Sequence, residues 1–330
     1  MKKYDVCIVG ATGLVGQMFL KILEEVDFPI NRLKLLASKR STGKTLTFKS
    51  QAIQVEELTP TSFSGYQLAF FSAGGQVSKI YAPIACEAGL TVIDNSSFWR
   101  QDPEVGLVVP EVNFADVQLN QLIANPNCST IQVVLPLKAL HEAYGVKSVT
   151  YSTYQAVSGS GQSGCNDLEQ TLSGQEPSFY PHNISQTCIP EIDVFLKNGY
   201  TKEEMKMIEE TRKILHEPNL PVSATCVRVP VLNGHGVSVR VELDQDFDLN
   251  SVSKQLQAQD GIVVLDNGSQ HVYPTSTIAN GTNFVYVGRI RRDLSAANSL
   301  LFYCVADNIR KGAAANAVQI ALKMAQNHLL

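Results

Sequence analysis

Tyr4-Asp5-Val6-Cys7-Ile8-Val9-Gly10-Ala11-Thr12-Gly13-Leu14-Val15-Gly16 is the stretch that decides the fold. Its first six residues form a short apolar run that predicts a buried strand. Leu14 to Val26 then carries apolar residues at helical spacing. Between the two, Gly10, Gly13 and Gly16 make a G-x-x-G-x-x-G variant of the dinucleotide-binding turn. Glycines there permit a tight turn and let backbone N–H groups approach a pyrophosphate at a helix N-terminus. A glycine pattern alone would signal only a strand-to-helix turn. Its place directly between a strand and a helix favours a cofactor site.

Further along the chain, Leu33 to Ala37, Gln67 to Phe71 and Leu90 to Ile93 predict strands, and Val77 to Ala88 predicts a helix. This β-α-β rhythm predicts an α/β fold with a Rossmann-type, doubly wound parallel sheet. An NAD site usually ends its second strand with Asp or Glu, which holds the ribose hydroxyls. Here Ser38-Lys39-Arg40-Ser41-Thr42-Gly43-Lys44 stands there instead. Cationic and hydroxyl groups suit a 2′-phosphate, which predicts NADP(H). After about residue 145 the pattern changes. Ser148 to Ala156, Ser223 to Val229, Val237 to Leu243, Asn283 to Ile290 and Leu300 to Val305 alternate like strands. Thr201 to Leu215 reads as a helix, with Thr201 and Glu204 at capping-box spacing. This half predicts an α+β domain with a mostly antiparallel or mixed sheet. Residues 308–330 predict one Ala-rich amphipathic helix.

The chain has 330 residues, enough for about two domains. A net charge of −4 disfavours nucleic acid as a partner. No apolar run approaches the ~18 residues of a membrane span. The opening MKKYDVCIVG passes from lysines straight into a strand, so no secretory signal is expected. Seven widely spaced cysteines, without a C-x-x-C pair, argue against a disulfide framework or a zinc ribbon. They predict a reducing, cytoplasmic setting, and no metal-ligand cluster is evident.

Asn125-Pro126-Asn127-Cys128-Ser129-Thr130 lies between a strand, Leu122 to Ala124, and a helical run, Thr130 to Ala143. Cys128 therefore falls at a helix N-terminus, where the dipole and N–H groups lower a thiol pKa and could hold an oxyanion. The other six cysteines read as small hydrophobes. Gln155 ends a strand and precedes a hydroxyl-rich loop, Ala-Val-Ser-Gly-Ser-Gly-Gln-Ser-Gly, of a kind that closes over a cofactor. Arg228 lies within an apolar strand and needs an anionic partner. His235, between Gly234 and Gly236, reads as part of an exposed, functional turn.

In this order, the GATGLVG start, NPNCST, QAVSGSG and the R-V-P-V-x-x-G-H run resemble the aspartate-semialdehyde dehydrogenase family. EEMKMIEETRKIL and DNIRKGAAANAVQIA are similar to it too, so the resemblance runs from Val6 to about Ala325. It implies an NADP-dependent, phosphorylating aldehyde oxidoreductase. The reaction is reductive dephosphorylation of L-aspartyl-4-phosphate to L-aspartate-4-semialdehyde. That step lies on the aspartate route to lysine and diaminopimelate, methionine, threonine and isoleucine. The resemblance implies Cys128 as acyl-thioester nucleophile, His235 as general acid/base and Gln155 beside the nucleophile. Arg228 is implied to grip the substrate carboxylate, Arg100 and Lys206 the phosphate, with Asn127 and Glu203 also at the substrate. Gly10, Thr12, Gly13, Leu14, Val15, Gly16, Arg40, Ser41, Ser158, Gly159 and Asn308 are implied cofactor contacts. It further implies an NADP-binding domain of residues 1–130 to which the helix of 308–330 returns. Residues 131–307 would form a catalytic and dimerisation domain, in a homodimer or a dimer-of-dimers tetramer. The alternatives are N-acetyl-γ-glutamyl-phosphate reductase, whose cysteine typically sits in Gly-Cys-Tyr-Pro, and a non-catalytic NADP-sensing protein.

Overall fold

A computed structural model describes residues 2–118 and 121–330. The chain forms two compact units, Met1–Pro126 with Ala313–Leu330, and Asn127–Gly312.

The first unit contains β1 (Tyr4–Val9), α1 (Leu14–Glu25), β2 (Ile30–Ala37), β3 (Thr45–Phe48), β4 (Gln51–Glu57) and β5 (Leu68–Phe71). It continues with α2 (Gly75–Glu87), β6 (Thr91–Asp94), β7 (Gly106–Leu107) and β8 (Leu122–Ala124). The sheet order is β3-β4-β2-β1-β5-β6-β8-β7. Its pairs are parallel except for the β3–β4 hairpin. The chain runs outward from β1 through β2, then crosses back to β5 on the other side. The turn after β1 therefore sits where the strand order reverses, the usual ligand crevice of such sheets. Strands β1, β5, β6 and β8 are buried on both faces, as their apolar runs require, whereas the β3–β4 edge is largely exposed. Val6, Ile8 and Phe70 share a core with Phe19 and Leu23 of α1. A C-terminal helix, Ala315–Gln326, completes it with Ala317, Val318, Ile320 and Ala321.

That helix begins later than the sequence suggests. Residues 308–314 are held differently, because the Asp307 carboxylate accepts the N–H groups of Ile309 and Arg310 at 2.9 and 3.1 Å. A wide π-type turn over Arg310–Ala314 follows before regular helix starts.

The second unit contains α3 (Cys128–Tyr144), β9 (Val146–Gln155), α4 (Gln162–Leu172), α5 (Lys202–Leu215), β10 (Val222–Arg228) and β11 (His235–Leu243). Then come α6 (Leu249–Ala258), β12 (Ile262–Val264), β13 (Val285–Arg292) and β14 (Ser299–Ala306). Its sheet, in the order β10-β9-β11-β14-β13-β12, is mixed. Strands β9 and β10 run parallel, as do β12 and β13, and the other pairs are antiparallel. Along β9, Tyr151, Thr153 and Gln155 are buried and their neighbours are exposed, the alternation of a strand covered on one face. The register pairs Gln155 with Arg228 and Tyr154 with Gly236. It thus brings the last residues of β9 and β10 beside the first residue of β11. Three of the sequence-predicted residues share one end of this sheet for that reason.

Candidate active site

Cys128 is the first residue of α3, and Asn127 is its N-cap. Asn127 Oδ1 accepts the N–H groups of Ser129 at 2.9 Å and Thr130 at 3.2 Å. Those two donors were open to an oxyanion on sequence grounds; here the cap uses them. The other end of the same amide donates from Nδ2 to Glu203 Oε1 at 2.8 Å, and the Asn127 N–H donates to Glu210 Oε2 at 2.6 Å. The Asn127 amide and N–H are thus committed to positioning the turn that presents Cys128.

Glu203 and Glu210 come from α5. Its start is fixed by the expected capping box, with Thr201 Oγ1 accepting from Glu204 N and the Glu204 carboxylate accepting from Thr201 N. Glu203 is buried and also accepts from Gln155 Nε2 at 3.2 Å. Burial would raise its pKa, but Lys206, the Asn127 hydrogen bond and Arg228 outweigh this and hold it below the ordinary value. Lys206 is no solvated helix lysine. Its Nζ lies 3.1 Å from Glu203 Oε2 and 2.9 Å from Asp193 Oδ2. Sequence reasoning missed Asp193 and Glu210. Asp193 has no helical or strand pattern around it, and Glu210 looks like one of several charges on an amphipathic helix.

Arg228 is buried at the end of β10, with Nη1 donating to the Ala156 carbonyl at 2.7 Å. Its Nε has no hydrogen-bond partner among the described residues. Glu203 is an anion within its electrostatic reach, but this donor of the guanidinium is left without an acceptor in the folded unit. His235 is not the exposed turn residue expected from its flanking glycines; it is fully buried. Gly236 is required because a side chain there would collide with the Tyr303 hydroxyl. His235 Nδ1 accepts the Ala156 N–H at 2.9 Å, which places the neutral ring's proton on Nε2. Nε2 has no partner among the described residues. Burial, with Arg228 nearby, holds the imidazole well below its usual pKa, so the ring is neutral near pH 7. Gly159 explains how the two side chains fit: a Cβ there would lie 2.8 Å from Arg228 Nη1 and 3.1 Å from His235 Nε2. Asn308 joins this cluster by accepting the Gly234 N–H at 2.8 Å and donating to Ser158 Oγ at 2.9 Å.

Five of the other six thiols behave as hydrophobes; Cys188, against the expectation, is exposed. Burial pushes Cys7 and Cys304 to about 12 and Cys86 to about 11, and it raises Cys165 and Cys226. Among the described residues the cysteines form no disulfide and no metal-ligating cluster appears.

Within the first unit, the turn after β1 has the shape a dinucleotide requires. A side chain at Gly10 would collide with the Ser72 carbonyl, and one at Gly16 with the Gly10 carbonyl. The N-cap of α1 is Gly13, which supplies no side-chain cap, and the first turn carries no acidic residue. Backbone donors and the positive end of the dipole are left for an anion. Thr12 Oγ1 donates to Ser41 Oγ at 3.4 Å, so this turn adjoins the short 3₁₀ turn Lys39–Ser41 that carries Arg40. These residues fit NADP. Arg100, elsewhere in this unit, is buried and donates from Nη2 to the Asn95 carbonyl at 3.0 Å. Its loop is pinned by Asp94, whose carboxylate takes Ser96 Oγ at 2.5 Å.

The sequence matches the family model described as "Semialdehyde dehydrogenase, NAD binding domain" over residues 5–120. It matches "Semialdehyde dehydrogenase, dimerisation domain" over 137–311. The aspartate-semialdehyde dehydrogenase of Aquifex aeolicus is 49% identical, across 99% of both chains. This chain belongs to the aspartate-semialdehyde dehydrogenase family. A Vibrio cholerae family member, aspartate semialdehyde dehydrogenase II complexed with ASA, has 43% identity and a TM-score of 0.95, covering 99% of each chain. The Candida albicans family member solved with NADP has 25% identity and a TM-score of 0.80, covering 100% of each chain. Neither the acetylglutamyl-phosphate reductase reading nor the sensor reading is favoured by these matches. No helix among the described residues is long and apolar enough to cross a membrane.

Proposed function

We propose that the enzyme reduces L-aspartyl-4-phosphate to L-aspartate-4-semialdehyde, releasing phosphate, through a thioester on Cys128. The observation that carries this assignment is the hydrogen-bonded chain from Asn127 through Glu203 to Gln155. It ties the residue preceding Cys128 to the sheet end that holds Arg228 and His235. The Cys128 thiolate attacks the acyl carbon, the carbon–oxygen bond to phosphate breaks, and a thioester forms. When bound, NADPH supplies the hydride that reduces this thioester. The tetrahedral oxyanion then collapses, expelling the thiolate and leaving the aldehyde; the proton consumed overall resides on the released phosphate. His235 serves these steps from Nε2. With Nδ1 committed to Ala156, its neutral ring offers an N–H to the developing oxyanion, in place of the N–H groups used by Asn127.

Arg228 is the proposed carboxylate clamp, since its guanidinium retains donor capacity in a buried setting. Glu203, Asn127 and Gln155 shape the substrate site, with Lys206 and Arg100 assigned to phosphate. The turn Gly10–Gly16, including Thr12, Gly13, Leu14 and Val15, receives the pyrophosphate. Arg40 and Ser41 receive the 2′-phosphate. In the second unit Ser158, Gly159 and Asn308, clustered near His235, are the proposed cofactor contacts. A cytoplasmic homodimer, or a tetramer built from two, fits this reading and its place in amino-acid biosynthesis. The test is the reverse reaction. NADPH should form from aspartate semialdehyde only when NADP and phosphate are both present, and formation without phosphate would exclude the phosphorylating mechanism.

A further inference from the structure

Cys128 and Gln132 stand one turn apart on α3, so they share a face of the helix. Gln132 is fully buried within an apolar stretch, Ile131 to Leu135. Its Nε2 donates to the main-chain oxygen of His235 at 3.1 Å and to that of Cys304 at 3.4 Å. Its Oε1 has no partner among the described residues. A buried amide oxygen without a partner destabilises the fold, and an aliphatic side chain would fill the same space without that penalty. The hydrogen bond to His235 gives this amide a use. From the other side, the imidazole is held by the Ala156 N–H at Nδ1. His235 is thus gripped twice, at its carbonyl by the nucleophile's helix and at its ring by the end of β9. Nε2 is the ring atom left for chemistry.

We propose that Gln132 is a positioning residue that sets the separation between Cys128 and the His235 ring by holding the His235 carbonyl against α3. The proposal rests on the roles given above to Cys128 and His235. Gln132 touches no reacting atom; it acts through His235.

A double-mutant cycle on the full-length enzyme, measured in the reverse assay, tests it. Gln132→Met keeps the length and volume of the side chain and removes the donor. A fall in kcat of about tenfold is expected, with Michaelis constants for semialdehyde and phosphate changed by no more than about twofold. Added to His235→Ala, the same substitution should cost nothing further. An equal loss in both backgrounds would show a general structural role and overturn the proposal. So would an unchanged kcat in Gln132→Met. Wild-type activity in His235→Ala alone would instead remove the reading beneath it, independently of Gln132. If Gln132→Met does not give the native near-ultraviolet circular dichroism spectrum, Gln132→Leu is carried through the same cycle, with the same outcomes deciding.

Discussion

Two helix starts, those of α1 and α3, follow a strand in the same way and are finished in opposite ways. At α1 the N-cap is Gly13, with no side chain to bond the first N–H groups. At α3 the N-cap is Asn127, whose Oδ1 takes two of them. An uncapped start keeps its donors for something that arrives from outside, and glycine also lets that anion come close. A capped start is closed and rigid, which suits a residue that must present a side chain at a fixed angle. On the function proposed above, the first serves a cofactor that comes and goes, and the second a covalent bond that forms and breaks at Cys128. The rest of each site follows this division. Backbone dominates around Gly10–Gly16, whereas buried side-chain hydrogen bonds among Asn127, Glu203 and Gln155 dominate near Cys128.

The comparison breaks first at Cys128. Cys128→Ala should abolish turnover while leaving NADPH binding intact, as read by steady-state assay and calorimetry. An acyl adduct found by mass spectrometry on another cysteine would move the nucleophile elsewhere. A smaller effect is expected at the cofactor. Loss of one charge-assisted bond in Arg40→Ala should weaken NADPH by about 1.5–3 kcal/mol and leave NADH nearly unchanged. Fluorescence titration with both cofactors checks this, and equal losses would show that Arg40 does not read the 2′-phosphate. Smaller again, Asn127→Ala should lower the unfolding free energy by about 1 kcal/mol through the lost cap. Turnover should fall as well, because Glu203 loses a donor; a chemical melt paired with kcat measures the two effects. The finest test reverses the comparison. Gly13 has an extended backbone, and a Cβ there would meet only ordinary contact with the Gly10 carbonyl at 3.5 Å. Gly13→Ser should therefore cap α1, raise stability by a few tenths of about 1 kcal/mol and weaken NADPH. Unaltered NADPH affinity would mean that these donors are not the cofactor's.

Where the sequence was legible, a local pattern had one physical cause. The turn after β1, the position of Cys128 and the capping box of α5 each depend on a few neighbouring residues, and each could be read from them. The β3–β4 hairpin could not, because its strands are short and largely exposed and so carry little apolar pattern. Helices α4 and α6 were missed as well; α4 follows a glycine- and serine-rich loop that masks where helix begins. His235 shows a subtler failure. Flanking glycines suggested exposure, but Gly236 answers to the Tyr303 hydroxyl and Gly234 to a left-handed backbone, φ +94°, packed against Ser276. Close packing and exposure leave the same trace in sequence. Gln132 did leave a signal, as a lone polar residue in an apolar helix, yet its partners on β11 and β14 are brought to it only by the sheet order.

The discontinuity of the first unit sets a timetable for synthesis. Ribosomes deliver β1 before residues 127–312 and the helix Ala315–Gln326 after them, yet Val6 and Ile8 share a core with Val318 and Ile320. The nucleotide-binding unit begins to emerge before residues 127–312 and cannot be completed until after them. Residues 127–312 have the whole of their own compact unit before that point. A chain cut short just before Ala313 and released from the ribosome would thus hold all of the second unit and an incomplete first one, with the seat for the helix Ala315–Gln326 open to chaperones and proteases.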